Sequence, residues 1–187
     1  MRYGEDRRTF IKSMVNQALR LTDHRLWRQR NSQTDLEAIC REKGIHVQYI
    51  CLEQHESGFI KTHSMTGRIV IYINSRHPKR RQRFTLAHEL GHYFLHPYKA
   101  QRYRRDLPNG AADSEEAEAN LFAAELLMPD IKLRTLLAEY ESYHLLDVDI
   151  FDHLTEKLSS EFGVSREAAA TRLNDISQQL NGPGPNY

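Results

Sequence analysis

Cysteine is scarce in this 187-residue chain: only Cys40 and Cys51 occur, with no CxxC spacing. A disulfide framework and a cysteine-rich zinc module are thereby excluded as organising principles, and a reducing compartment, the cytoplasm, is the expected address. No run of eighteen apolar residues occurs, and none follows the opening Met1-Arg2-Tyr3. Neither a membrane span nor a secretory leader is expected. Proline- and glycine-rich linkers and internal repeats are missing too. Residues 1–180 therefore read as a single domain, with an N-terminal helix and connector over 1–33, a sheet and two helices over 34–129, helices over 130–180, and a loose tail over 181–187. A domain of this size buries a core without help, so a metal bound to it serves chemistry rather than folding.

The chain also lacks an excess of either charge sign, with a net charge of +1, but its charges are segregated. Residues 76–105 hold nine basic and one acidic side chain, whereas 106–187 hold five and sixteen. Such asymmetry marks either a contact surface for an acidic partner or two faces that neutralise each other in the fold.

Apolar spacing predicts a helix over residues 5–22, with Phe10, Met14, Ala18 and Leu21 on its buried face. A second helix is expected to start at Thr34, in capping-box spacing with Glu37, and to stop at Gly44. Residues 45–52, 58–63 and 68–74 read as strands of a small, mainly antiparallel sheet, with the turn 65–67 between the last two. A helix over 78–96 follows, bounded by Pro78 and Pro97. Another, capped by Asp113 or Ser114, runs to Met128 before Pro129. Three shorter helices are expected over 131–140, 150–162 and 166–180, with Gly163 stopping one and Ser165 capping the next.

His88-Glu89-Leu90-Gly91-His92 lies within the helix expected over 78–96 and matches H-E-x-x-H on a helix. Two imidazoles four residues apart return to one face and can reach one ion, while Glu89 is offset toward a water on that ion, as a general base must be. Chance alone would supply such a pentapeptide about 0.04 times in this composition, so a third ligand is needed to carry the argument. His96 cannot be that ligand, because eight residues of straight helix separate it from His88 by about 12 Å. The next helix offers Glu116 and Asn120, again four apart. Glu116 completes a His₂Glu set for zinc, with manganese or another divalent ion as an alternative, and Asn120 can hold a ligand imidazole by its other nitrogen. Ala123 and Ala124 let the two helices approach, while Glu115 and Glu118 are read as solvated. Donors for an oxyanion are left open among Tyr72, His96, Tyr98, Tyr143 and His144.

The segments 83–92 (RFTLAHELGH) and 116–129 (EAEANLFAAELLMP) resemble the two signatures of the ImmA/IrrE family of metallo-endopeptidases, within the gluzincin group. Weaker echoes lie in Gly58, in residues 71–74, and in Phe162-Gly163-Val164-Ser165 with Arg172-Leu173, so the resemblance spans about residues 35–175. It implies an α+β, zincin-like domain whose sheet packs on the active-site helix and whose C-terminal half is helical. It also implies Glu116 rather than Glu118 as ligand, Asn120 beside it, and Glu89 as the catalytic residue. Members of this family are implied to cleave a helix-turn-helix repressor of a mobile element or a stress response; others belong to toxin–antitoxin pairs, where the partner is a cognate antitoxin.

Two further expectations can be tested by a structure. The strand at 68–74, just ahead of the active helix, could pair with an extended substrate if it lies at the sheet edge, and proline at Val70 would then lower cleavage without loss of metal. Residues 154–176 have the outline of a helix-turn-helix, but Arg166 and Arg172 against Glu167 and Asp175 are poor phosphate binders, so packing onto the core is favoured over DNA reading. The basic stretches 76–83 and 99–105 are the better contact surfaces.

Overall fold

Apolar residues at helical and strand periods build a mainly helical α+β fold around a small sheet. The computed structural model describes residues 2–22, 33–96, 111–138 and 148–181. Among these the order is α1 (Arg2–Leu19), α2 (Leu36–Glu42), β1 (Ile45–Ile50), β2 (Gly58–Thr62), β3 (Ile69–Asn74), α3 (Lys79–Leu95), α4 (Ala111–Leu127), α5 (Asp130–Ala138), α6 (Val148–Phe162) and α7 (Arg166–Asn181). No helix among the described residues is long and apolar enough to cross a membrane. The expectations for residues 97–110 and 182–187, including Tyr98 and the basic stretch 99–105, lie outside the described residues, as do Tyr143 and His144.

The sheet is mixed rather than mainly antiparallel. Its order is β1-β3-β2, with β1 parallel to β3 and β2 antiparallel to it. The chain leaves β1, forms β2 at the outer edge, and returns through a hairpin to insert β3 between them. Strand β3 is therefore central, and the expectation that residues 68–74 offer a free edge is corrected: both sides of β3 are already paired. A proline at Val70 would break the ladder rather than probe substrate binding. Among the described residues, the unpaired antiparallel edge belongs to β2.

Strand alternation sends Ile71 and Ile73, both fully buried, into one continuous core with Leu86, Ala87 and Leu90 of α3. Where β2 begins, α3 comes so close that a Cβ on Gly58 would stand 2.4 Å from the Tyr72 carbonyl oxygen and 2.8 Å from Thr85 Cγ2. Only a glycine lets the strand lie there.

Local signals were partly reassigned by tertiary contacts. Helix α1 buries Ile11, Val15, Ala18 and Leu19, whereas Phe10 faces outward with the Arg7 guanidinium 4.9 Å above its ring. Asp35, not Thr34, caps α2, accepting from the Ala38 N–H at 2.9 Å. The buried Thr34 hydroxyl instead donates to the Leu126 carbonyl at 2.9 Å, and the Thr34 carbonyl accepts from Arg83 at 2.7 Å. That one residue ties α3 to the end of α4. Helix α4 already includes Ala111, so Asp113 and Ser114 fall inside it rather than capping it. Gly163 (φ 66°) and Ser165, whose hydroxyl accepts from the Ala168 N–H at 3.1 Å, do stop α6 and cap α7.

Arg172 of α7 is the largest buried polar anchor. It is 1% exposed and pairs with Glu125 at 2.6 Å and with Asp130, while also donating to the Met128 carbonyl. Lys12 of α1 completes the network through Asp130 at 2.7 Å. Burial pushes the Glu125 carboxyl up against the pull of Arg172. For Asp130 burial acts the same way, but Lys12 and Arg172 prevail and hold its carboxyl below the ordinary range. A recognition-helix role for α7 is thereby excluded for Arg172, and Arg166 is engaged by Asp152 at 3.4 Å and Glu156 at 3.3 Å. Replacing Arg172 by Leu deprives the buried Glu125 carboxylate of its guanidinium, while Asp130 keeps Lys12, and is expected to cost about 3–5 kcal/mol, read as a lowered denaturation midpoint with unchanged slope.

Candidate metal centre

Two helices supply the site, and their close approach creates it. A Cβ on Gly91 would lie 3.0 Å from both the Cα and the carbonyl oxygen of Ala119, so α3 and α4 touch backbone to backbone at this point. The approach depends on Gly91 and Ala119; Ala123 is buried further along, while Ala124 is only partly buried. One residue before and three before this contact lie Leu90 and His88, and one residue after it lies His92, so the imidazoles meet the first turns of α4.

The donor atoms converge. His88 Nε2 and His92 Nε2 are 3.1 Å apart, and Glu116 places its two oxygens 3.1 Å from the first and 3.3 Å from the second. No other group of three His, Cys, Asp or Glu ligand atoms assembles among the described residues. The histidine side chains are 13% and 11% exposed and the Glu116 side chain 37%, so the cluster is open to solvent on the carboxylate side. Asn120 Oδ1 sits 2.9 Å from His88 Nδ1. Because that oxygen only accepts, the imidazole proton belongs on Nδ1, and Nε2 presents a lone pair to the centre.

This donor set fits a divalent cation. Ligands about 2.0–2.1 Å from a tetrahedral zinc stand about 3.3–3.4 Å from one another, which is close to the 3.1–3.3 Å between the imidazole nitrogens and from each to its nearer Glu116 oxygen. Two nitrogens and one carboxylate oxygen also match the ligand chemistry of a zinc site with one vertex left for water or substrate. Glu89, next to His88, is 1% exposed and thus held within the interior beside the cluster's own helix.

The surroundings settle several open assignments of position. His96 caps the end of α3, with its ring centroid 5.7 Å from that of His92, and stands apart from the triad as helix geometry requires. Its Nε2 lies 3.5 Å from Glu118 Oε2, and burial holds its pKa down. Glu118 is not the solvated charge expected from sequence: its side chain is 17% exposed and takes two hydrogen bonds from Arg7 of α1, at 2.7 and 2.5 Å. Those bonds hold its carboxyl below the usual range. Alternation turns Tyr72 away from Ile71 and Ile73, and its hydroxyl meets His63 Nε2 at 3.2 Å while its ring stacks on Phe59. Sequence reasoning missed Arg7 and gave Thr34 only a local capping role, since nothing in their local sequence marks partners about a hundred residues away.

The family model described as the IrrE N-terminal-like domain, Peptidase M78, matches residues 40–174. An "Uncharacterized immunity region protein 2" of Bacillus phage phi105 is 40% identical over 113 residues, 59% of this chain and 61% of that protein. Metallopeptidase ImmA of Bacillus subtilis (strain 168) is 32% identical over 125 residues, 67% of each chain. The chain thus spans about two thirds of the length of these curated relatives.

Asn120→Ala leaves the three donors in place but removes the acceptor that fixes the His88 tautomer. Zinc affinity in chelator competition should fall about 10- to 100-fold, with little change in the melting temperature of the metal-free protein, because Asn120 is exposed.

Proposed function

The chain belongs to the Peptidase M78, IrrE N-terminal-like family, and on that premise we propose that it is a zinc-dependent endopeptidase acting on a specific protein substrate. The observation that carries this reading is the His88, His92 and Glu116 triad, with its donor atoms within 4.8 Å of one another. His88, His92 and Glu116 hold the ion, with Asn120 orienting His88. Lewis acidity toward the scissile carbonyl and toward water is what the ion supplies when bound. Glu89 takes the proton of the attacking water at its carboxylate and delivers it to the leaving amine. Glu89 is almost completely buried, on the same helix as the two histidines.

Substrate backbone pairs with β2 in this reading. The bonds from His63 N–H to the Arg68 carbonyl and from Asn74 N–H to the Ser57 carbonyl fix the antiparallel ladder, so that Gly58, Ile60 and Thr62 turn their own N–H and C=O groups outward. Gly58 lies against Thr85, three residues before His88, so the free edge runs beside the site. The substrate class we favour is a DNA-binding repressor of a mobile element, supported by the immunity region in one relative's name and by Metallopeptidase ImmA as another. A cytoplasmic location fits two free cysteines, one of them exposed.

Glu89→Gln should retain stoichiometric zinc by elemental analysis and lose cleavage by at least about 10³-fold, whereas Glu116→Ala should lose the metal itself. Full zinc retention by Glu116→Ala would overturn the ligand assignment. Thr62→Pro removes only an outward N–H from β2 and should raise KM for a peptide substrate while zinc content stays at wild-type level; an unaltered KM would detach β2 from substrate binding.

A further inference from the structure

The start of α3 runs against the charge preference of helices. Its N-cap is Pro78, which offers no side-chain acceptor, and its first turn contains no acidic residue. Lys79, Arg80 and Arg81 stand there instead, with Arg76 just ahead, and all four are exposed. Cations next to the positive end of a helix dipole are unfavourable and would ordinarily be offset by carboxylates. Among the described residues none of the four has an ion-pair partner. Arg80 donates to Ser159 Oγ and Arg81 to Ser57 Oγ, both at 3.0 Å, and Lys79 reaches Gln82 Oε1 at 3.4 Å with its ammonium 5.7 Å from the centre of the Tyr49 ring. Neutral partners position these cations and leave their charge uncompensated.

The patch has a definite place beside the site. Arg81 touches Ser57, the residue ahead of β2, so the positive charge lies at the end of the strand whose outer edge pairs with substrate on the reading above. Along α3, Arg81 precedes His88 by about 10 Å and Lys79 by about 13 Å. An extended peptide covers that distance in three or four residues at about 3.3 Å each.

Resting on that reading, we propose that Arg76, Lys79, Arg80 and Arg81 form a subsite for an acidic stretch of the protein substrate, three or four residues from the scissile bond on the side leading to Ser57. A nucleic acid is a poorer occupant, because it is negative along its whole length, whereas these four cations are confined to the start of α3 and the residues just before it. A peptide confines its carboxylates to one stretch and leaves the segment over the site neutral.

The zinc-loaded chain is incubated with a proteome-derived peptide library and the cut sites are read by mass spectrometry. Asp and Glu should be enriched three or four residues from the cut on one side only. The double variant Arg76→Glu, Lys79→Glu avoids the two serine-bound arginines. In it, the ratio of kcat/KM for an acidic-flanked peptide to that for its Asn/Gln counterpart should fall about tenfold, and the wild-type ratio should decay as salt rises from roughly 0.05 to 0.5 M. In a second arm, a fluorescent hexaglutamate-containing peptide should bind the Glu89→Gln protein and lose binding when Arg76 and Lys79 are also reversed. Cleavage without acidic preference, a ratio unmoved by charge reversal, or displacement of the labelled peptide by duplex DNA more readily than by unlabelled peptide would each overturn the subsite. No cleavage of any peptide would sink the peptidase reading instead, and the binding arm would then decide the subsite alone.

Discussion

The backbone contact between Gly91 and Ala119 is the constraint on which the rest of the molecule depends. At 3.0 Å from a hypothetical Cβ, there is no room for any side chain between α3 and α4, and the distance between helix axes is set by that absence. Two histidines on one helix can then share a point in space with a carboxylate on the other. Most of the remaining polar anchors act on this same pair of helices. Thr34 and Arg83 bind α3 to the end of α4, Arg7 holds Glu118 in its first half, and Arg172 grips Glu125 and the Met128 carbonyl at its C-terminal end. The site is thus built by fixing two rods at several points, rather than by shaping a loop around an ion.

What could be read from the sequence was what depends on short separations. The α+β class, both ligand-bearing helices and the Gly163–Ser165 junction follow from spacings of three to four residues and from local capping chemistry, and the family from the resemblance of residues 83–92 and 116–129 to its two signatures. The meeting of His88, His92 and Glu116 was anticipated because helix rise excludes His96 and because Glu116 and Asn120 share a face. Which of the neighbouring glutamates faces the imidazoles is a question of rotation about one axis, and the resemblance to the family implied Glu116 rather than Glu118.

The features that escaped the sequence are set by contacts between distant parts of the chain. Arg7 and Glu118 are 111 residues apart, and Lys12 and Asp130 are 118. A sequence offers 26 basic and 25 acidic side chains with no rule for pairing them. The same limit hid the central place of β3. Apolar alternation identifies a strand, but whether it is inserted between two others depends on the path of the preceding hairpin. Thr34 was misassigned for a related reason: a good local role as a cap gave way to a stronger distant one.

Helix α1 lies wholly before residue 40, where the similarity to the family model begins. Yet it contributes Ile11, Val15 and Ala18 to the shared core, and Arg7 and Lys12 to carboxylates on α4 and α5. The border of recognisable ancestry is therefore not the border of the cooperative unit. A fragment excised at the point where relatives become alignable would leave Glu118 without its guanidinium and uncover an apolar stripe. Divergence in such an N-terminal segment can proceed only as far as some replacement still covers that stripe and answers that charge.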